Sequence, residues 1–345
     1  MWDRYTLRRK MNSLARRAGW TWAPALPIRG AFASTSRCNL RCRTCYRFPN
    51  DDPSVDMFPE VYERVRRQVL PGLEEVCLTG AGEPFLAPIF YRMLEDTLSA
   101  GKRVMIVTNG TILRRDCLER LVRTPSRIMV SLDGTTPEVM EHIRPGAQLE
   151  RVLEFMRTVK ELRNGGGHPG FDFQISFVVT RSNVEQLTDC VELAHRYGVG
   201  AVNFVNFRTE GRTDEFARES LMSEPNEALP HWERASRRGL ELGVQVPPIV
   251  FNCPNQSRAE EERSKPTIFD GSGRIRQCPL PWWNTIIETD GLVKPCCAIL
   301  EPFGNLMEQS FQEIWNGPKY RQLRRTVNTP NMPEACRRCF LPVRF

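Results

Sequence analysis

The sequence of 345 residues lacks two features of proteins that enter or cross a membrane. It contains no run of about 18 uncharged apolar residues, the length that a transmembrane helix requires. Its N-terminal region has no apolar core like that of a signal peptide, because basic residues interrupt it repeatedly. We therefore expect a cytoplasmic protein whose twelve cysteines stay reduced and bind metal more readily than they form disulfides.

An excess of positive charge is also missing from most of the chain. The net charge is +7, and residues 1–17 carry six Lys or Arg against the single Asp3, so five of these charges lie there. The near-neutral remainder argues against a broad nucleic-acid-binding groove. We therefore treat residues 1–28 as a basic N-terminal segment. It is either a solvated helix packed on the domain edge or a docking site for an acidic partner or a membrane surface.

Residues 29–245 alternate between apolar runs of strand length and longer segments with helical periodicity. Six strand–helix pairs in succession predict a parallel α/β sheet that curls toward a barrel, with its functional groups at the carboxyl ends of the strands. The predicted strands are 31–36, 75–79, 104–108, 128–132, 173–179 and 201–207, and the predicted helices are 59–70, 86–100, 112–123, 136–163, 183–197 and 227–242.

The alternation ends near residue 245, where prolines and a polar stretch begin, so we assign residues 246–345 to a second, smaller domain. Asp290 and Gly291 predict a two-residue hairpin turn between short strands. Two short helices, 310–315 and 319–325, follow it, and a Cys-x-x-Cys pair lies close to the last residue of the sequence.

Three cysteines lie within eight residues directly after the first predicted strand, at Cys38, Cys42 and Cys45. A structural zinc ion normally takes four ligands, so zinc would need a distant fourth residue here. A 4Fe–4S cluster held by three thiolates instead leaves one iron open to another ligand. The spacing leaves both interpretations open.

The three-cysteine signature of the radical S-adenosylmethionine (SAM) superfamily matches these positions, and the chain resembles that superfamily over most of its length. The resemblance implies a partial (β/α)6 barrel, a 4Fe–4S cluster on these thiolates and SAM bound to the open iron. It also implies reductive cleavage of SAM to a 5′-deoxyadenosyl radical, which abstracts hydrogen from a substrate. Tyr46 matches an aromatic position near the adenine of SAM.

Further matches follow the next strands. The segment from Gly80 to Pro84 is similar to the family's Gly-Gly-Glu-Pro motif, with Ala81 in place of its first glycine. The resemblance implies that Gly82 admits the cofactor's close approach and that Glu83 accepts a hydrogen bond from its amino group. The other residues assigned to the ribose or the carboxylate of SAM are Asn109, Ser131, Asp133, Arg144 and Ser176.

A second group of cysteines lies in the C-terminal domain and comprises Cys278, Cys296, Cys336 and Cys339. Four thiolates suit either zinc or a fully ligated iron–sulfur cluster. The region resembles the SPASM or twitch extension of radical SAM enzymes, which implies one auxiliary 4Fe–4S cluster. Only six residues follow Cys339, which fits the twitch form. The spacing from Gly291 favours Cys296 over the adjacent Cys297 as a ligand.

These features predict a radical SAM oxidoreductase acting on a small polar substrate such as a sugar, an aminocyclitol or a nucleotide. The auxiliary cluster would assist a net oxidation, and flavodoxin or ferredoxin would supply electrons. The alternatives are a peptide-modifying enzyme that cross-links or epimerises its substrate, and a zinc-stabilised binding protein without activity. Cys253 is either a plain buried thiol or a hydrogen donor to a substrate radical.

Overall fold

The computed structural model describes residues 4–45, 55–209, 214–222, 224–249, 278–337 and 339. Within these ranges, nine strands form one sheet in the order β6-β5-β4-β3-β2-β1-β7-β8-β9. The strands are β1 Arg29–Phe32, β2 Glu75–Cys77, β3 Arg103–Thr108, β4 Arg127–Ser131, β5 Asp172–Val179, β6 Ala201–Asn206, β7 Asn284–Ile287, β8 Leu292–Lys294 and β9 Gly304–Asn305.

Twelve α-helices lie in the same described ranges. Six of them carry proline in their first turn, where its missing N–H would be unpaired in any case. The helices are α1 Arg4–Arg17, α2 Pro59–Gln68, α3 Pro88–Ser99, α4 Arg115–Val122, α5 Pro137–Ile143, α6 Leu149–Asn164, α7 Leu187–Arg196, α8 Pro225–Leu242, α9 Leu280–Trp283, α10 Phe311–Trp315, α11 Pro318–Thr326 and α12 Glu334–Arg337.

The first six strands run parallel and neighbour one another in chain order. Strand β1 also pairs in parallel with β7, so the C-terminal strands extend the same sheet. Strands β6 and β9 lie at opposite ends of the sheet, so the barrel is not closed. This confirms the predicted parallel α/β architecture and the partial barrel.

Buried and partly buried side chains alternate along the strands. The buried ones form the hydrophobic core on one face of the sheet, and the others lie on the opposite face, which we call the open face. In β5 the residues Phe173, Ile175, Phe177 and Val179 are buried, whereas the residues between them are only partly buried. Each such apolar side chain contributes about 1.5–3 kcal/mol when it leaves water. The buried set therefore fixes the register of β5 and turns the alternate polar side chains toward the open face.

Several predicted elements have different bounds, and two of these differences have a clear physical cause. The helix predicted over 136–163 is two helices, α5 and α6, because Pro145 interrupts the helical backbone and Gly146 has a positive φ of 88°. Strand β1 ends at Phe32 rather than at residue 36, because the chain beyond it leaves the regular ladder and Ser34 O accepts a hydrogen bond from Met57 N.

The predicted C-terminal hairpin is present between β7 and β8, but its loop is longer than two residues. The register joins Ile287 to Val293, and Glu288 N donates to Leu292 O, so residues 289–291 form the loop. Gly291 lies at its end with φ of 89°, a conformation that glycine adopts without steric cost.

The N-terminal helix α1 packs on the C-terminal region. The buried side chain of Asn12 donates to the main-chain oxygen of Trp282 at 2.8 Å, and the indole of Trp282 donates to Trp20 O at 3.1 Å. Arg9 of α1 also pairs with Glu74. None of the helices in the described ranges has the length and apolar character needed to cross a membrane.

Candidate active site

The loop with the first three cysteines follows β1 across the carboxyl edge of the sheet. Its middle is anchored by the buried Leu40 and by Arg43 N, which donates to Ile143 O at 2.8 Å. Arg41 N donates to Pro145 O at 3.4 Å. The loop is therefore held against the break between α5 and α6.

A second segment pairs with the cysteine loop through glycine. Gly82 N donates to Thr35 O at 3.1 Å, and Glu83 N donates to Arg37 O at 2.8 Å. A Cβ at Gly82 would stand 2.2 Å from Arg37 O, which leaves no room for a side chain. The glycine in this motif is thus required by the approach of the two backbones.

Glu83 is 2% exposed and accepts three hydrogen bonds from its own chain. Its carboxylate accepts from Thr108 Oγ1 at 2.8 Å, Asn109 N at 2.7 Å and Phe85 N at 3.3 Å. Burial raises the pKa of Glu83 to about 7, although these hydrogen bonds act in the opposite direction. A cation bound nearby would therefore favour the ionised, carboxylate form of Glu83.

Asn109 connects the end of β3 to the cysteine loop. Its Nδ2 donates to Asn39 Oδ1 at 2.9 Å and lies 3.8 Å from Cys38 Sγ, within reach of a weak hydrogen bond to sulfur. Its Oδ1 accepts from both the main chain and the hydroxyl of Thr111. Asn109 thus orients the loop beside the first cysteine.

Ser131 and Ser176 are neighbours on the sheet. They are paired in the register of β4 and β5, and Leu132 N donates to Ser176 O at 3.0 Å. Ser131 is 9% exposed and Ser176 is half-buried. The structure therefore brings both predicted hydroxyls to the same edge of the sheet.

Asp133 and Arg144 form a buried ion pair next to the second cysteine. Arg144 Nε donates to Asp133 Oδ2 at 2.7 Å, and Arg144 Nη1 lies 3.6 Å from Cys42 Sγ. Burial lowers the pKa of Arg144, but Asp133 and Cys42 outweigh it and raise that pKa above its ordinary value. The guanidinium therefore stays charged beside the thiol.

The three thiols of the loop are close enough to influence one another. Burial, the largest cause, raises the pKa of Cys42 to about 11, and repulsion from Cys38 and Cys45 adds to it. Burial also raises the pKa of Cys38. A metal that binds these thiols must therefore displace their protons.

The four C-terminal cysteines also converge. Burial raises the pKa of Cys278 to about 12, with added repulsion from Cys296, Cys339 and Cys336. Burial also raises the pKa of Cys336 to about 12, with added repulsion from Cys296 and Cys339. Cys296 is buried, whereas Cys297 is exposed; Cys297 is repelled by Cys339 but does not act on Cys278 or Cys336.

Among the residues that the structure describes, no group of three or more His, Cys, Asp or Glu side chains is arranged to hold a single metal ion. An iron–sulfur cluster binds its cysteines through separate iron atoms, so its thiolates do not share one metal ion. Two soft-donor groups, one of three thiols and one of four, match that chemistry.

Several positioning residues escaped the sequence analysis. Asn328 brackets Cys278, because its Oδ1 accepts from Cys278 N at 2.7 Å and its Nδ2 donates to Cys278 O at 3.2 Å. Asn39 donates to Thr111 Oγ1 at 2.8 Å beside the first group. Asn39 lies within the three-cysteine motif at a position that the motif does not specify, and Asn328 lies in no recognisable motif. The predicted sites Tyr46 and Cys253 lie outside the described residues.

Two family profiles match this chain, each over one of the cysteine groups. The radical SAM superfamily profile matches residues 32–174, which include the three-cysteine loop. The SPASM profile, an iron–sulfur cluster-binding domain, matches residues 278–340, which include the four C-terminal cysteines. The chain contains a radical SAM domain followed by a SPASM domain. Its cofactors are SAM and two 4Fe–4S clusters.

Similar proteins include enzymes of different substrates. The chain is 27% identical to the AdoMet-dependent heme synthase of Methanosarcina barkeri, over 85% of this chain and 84% of that protein. It is 28% identical to the mycofactocin maturase MftC of Mycobacterium ulcerans, over 91% of this chain and 80% of that protein. The structure of Streptococcus suis SuiB bound to the precursor peptide SuiA shares the fold, with a TM-score of 0.68 and 15% identity over 92% of this chain and 70% of that one.

Proposed function

We propose that this radical SAM enzyme holds its SAM-binding cluster on Cys38, Cys42 and Cys45 and abstracts a hydrogen atom from a polar substrate. The observation that carries the assignment is the convergence of these three thiols with Glu83 and Arg144 at one edge of the sheet. Bound there, the cofactors supply an electron for cleavage of SAM and a 5′-deoxyadenosyl radical for hydrogen abstraction.

Charged side chains beside the thiols suit the two ends of an amino acid. Glu83 offers a carboxylate to the ammonium group of SAM, and Arg144 offers a guanidinium to its carboxylate. The hydroxyls of Ser131 and Ser176 are suited to the ribose or the carboxylate. Asn109 holds the loop that carries the first thiol.

The auxiliary cluster is assigned to Cys278, Cys296, Cys336 and Cys339. Cys296 is buried and repels both Cys278 and Cys336, whereas Cys297 is exposed and repels neither, which supports this set over one containing Cys297. Four protein ligands leave no iron open, so these residues suit electron transfer better than substrate binding. We propose residues 29–245 as the barrel, residues 246–345 as the auxiliary domain and residues 1–28 as a segment packed on it.

A polar substrate is supported by the open face of the sheet. There the partly buried side-chain amides of Gln174 and Asn203 lie on adjacent strands and hydrogen-bond to each other at 2.9 Å. Amide groups of this kind bind hydroxyls or peptide groups equally well. We take a sugar, an aminocyclitol or a nucleotide as the first candidate, with net oxidation as the outcome and a flavodoxin or ferredoxin as the electron donor.

A peptide is the second candidate, favoured by a specific observation. The similar proteins include a mycofactocin maturase, and the structure with the same fold was determined with a precursor peptide bound. Cross-linking or epimerisation of a peptide uses the same hydrogen abstraction. The two candidates differ only in what fills the open face.

Deuterium transfer tests the proposal and separates the candidates. Anaerobically reconstituted enzyme is reduced and incubated with SAM and either deuterated small molecules or a deuterated peptide. We expect 5′-deoxyadenosine from the wild-type enzyme, and deuterium in it identifies the substrate class. Protein that contains stoichiometric zinc without sulfide, and that leaves SAM intact, would contradict the assignment.

A further inference from the structure

The ion pair of Asp133 and Arg144 is unusual because it is buried. The side chain of Asp133 is 0% exposed and that of Arg144 is 10% exposed, with 2.7 Å between Oδ2 and Nε. Removing two charges from water is costly, and stability alone is weak grounds for retaining such a pair. The position of the pair, one side chain away from a cysteine of the first group, suggests a role for it.

Asp133 is fully engaged by its own chain. Its Oδ1 accepts from Val178 N at 2.7 Å, and its main-chain oxygen accepts from Asn183 Nδ2 at 2.9 Å. With Oδ2 bound to Arg144, both carboxylate oxygens are occupied and inaccessible. Asp133 was predicted to contact SAM, but its side chain is buried behind Arg144.

Arg144 is fixed relative to Cys42 from two directions. The residues on either side of Arg144 accept main-chain hydrogen bonds from the loop, because Ile143 O binds Arg43 N and Pro145 O binds Arg41 N. The side chain completes the arrangement, with Nη1 3.6 Å from Cys42 Sγ. A guanidinium presents several donors in a fixed plane, so orienting Nε toward Asp133 aims the remaining nitrogens.

We infer that Asp133 is a positioning residue that aims the Arg144 guanidinium at Cys42 Sγ and thereby raises the reduction potential of the cluster on that thiolate. Hydrogen bonds and positive charge at a cluster sulfur favour the reduced, more negative form. The inference rests on the proposed function, since it requires a cluster on Cys42. It adds a residue that controls how readily that cluster accepts its electron.

The test is a redox titration of the reconstituted enzyme, monitored by electron paramagnetic resonance. The signal to follow is the one that changes when SAM is added to the wild-type enzyme, because only a cluster with an open iron binds SAM. Arg144→Gln should lower the potential. Asp133→Asn should also lower the potential when Arg144 is present, because the guanidinium is then no longer held toward Cys42 Sγ. In the Arg144→Gln background the same change should raise the potential or leave it unaltered, because only a negative charge is removed.

This inversion of sign separates positioning from a plain charge effect. If Asp133 acted only through its charge, its removal would raise the potential in both backgrounds, and the inference would be wrong. Arg144→Lys keeps both charges of the buried pair and tests the same point if Asp133→Asn does not fold. A lysine offers one nitrogen in place of the two guanidinium nitrogens that contact Asp133 and Cys42 separately, so we expect a lower potential, and a wild-type potential would contradict the inference.

Asp172→Asn is the matched control. Asp172 pairs with Arg127 Nε, also at 2.7 Å, but this pair lies at the amino ends of β4 and β5. Asp133 instead follows the carboxyl end of β4. Removal of the Asp172 charge should leave the potential unchanged. A wild-type enzyme without the SAM-sensitive signal would overturn the cluster assignment and this inference together. A normal wild-type signal with unchanged Asp133 and Arg144 variants would overturn only the inference.

Discussion

The two cysteine groups of this enzyme have different surroundings. In the first, polar side chains from strand and helix ends approach sulfur, with Asn109 Nδ2 at 3.8 Å from Cys38 and Arg144 Nη1 at 3.6 Å from Cys42. In the second, Asn328 binds the main chain of Cys278 and not its thiol. The first group therefore resembles a binding site and the second a structural enclosure.

Aromatic packing reinforces the contrast around the second group. The buried guanidinium of Arg324 lies 4.5 Å from the ring of Trp315 and 5.1 Å from that of Tyr320. It also donates to Thr21 O at 3.1 Å, which ties the N-terminal segment to this domain. Such contacts favour one rigid arrangement, which suits a cluster that exchanges only electrons, because its surroundings need not admit a ligand.

The largest expected effect comes from the first group. Cys42→Ala should abolish 5′-deoxyadenosine formation, because two thiolates cannot hold a cluster that keeps one iron open. Iron content should fall from about eight to about four per chain, as expected on loss of one four-iron cluster. Chromatography of the nucleoside product and iron analysis check both points.

Cys117→Ala provides the control for that change. Cys117 is a buried thiol on α4, away from both cysteine groups, and packs as a small apolar residue. The variant should retain its iron and its cleavage activity. Full 5′-deoxyadenosine formation by Cys42→Ala would remove Cys42 from the proposed site.

An intermediate effect is expected in the second group. Cys336→Ala should lose the auxiliary cluster and impair product formation or folding, while part of the SAM cleavage remains. The reason is that the first site would still accept an electron and hold SAM. The ratio of product to 5′-deoxyadenosine measures the uncoupling, and wild-type turnover in this variant would refute an auxiliary role.

Glu83→Gln should weaken SAM binding by about 1.5–3 kcal/mol, the range for hydrogen bonds to charged groups. Because the pKa of Glu83 is raised to about 7, wild-type affinity should increase as pH rises from about 6 to about 8, where the carboxylate forms to meet the ammonium. Isothermal titration calorimetry across this range checks the trend, which should be flat in the variant.

The empty enzyme should show the opposite dependence at this residue. A carboxyl group with a raised pKa stabilises the folded state fully below its ordinary value of 4.5 and loses that contribution as pH rises through about 7. Thermal unfolding of wild type and Glu83→Gln at several pH values isolates this part. An identical pH dependence in the two proteins would mean that Glu83 does not titrate in this range.

The parallel sheet and the cysteine groups were predictable because their signals are local. A strand-length apolar run or a group of closely spaced cysteines can be recognised within a short window of the sequence. The break at Pro145 was also visible, yet helical periodicity on both sides masked it. The clamp of Asn328 on Cys278 was not predictable, because residues 50 positions apart meet only through folding.

The position of Asp133 shows a further limit. A polar residue at the carboxyl end of a strand is predicted to lie near the active site. The sequence does not indicate whether its side chain faces the ligand or lies behind another residue. The burial of Asp133 depends on Val178 and Arg144, which reach it from a neighbouring strand and from the end of a helix. The requirement for glycine at residue 82 likewise came from the backbone of another loop.

The smallest effect is expected at Cys297, and it tests the boundary of the second group. Cys297→Ala should keep about eight irons per chain, whereas Cys296→Ala should lose about four. The reason is that Cys296 is buried beside Cys278 and Cys336, while its neighbour is exposed. The adjacent positions make the two variants matched controls for each other. Loss of iron from Cys297→Ala with retention in Cys296→Ala would reverse the ligand assignment and leave the contrast between the two groups intact.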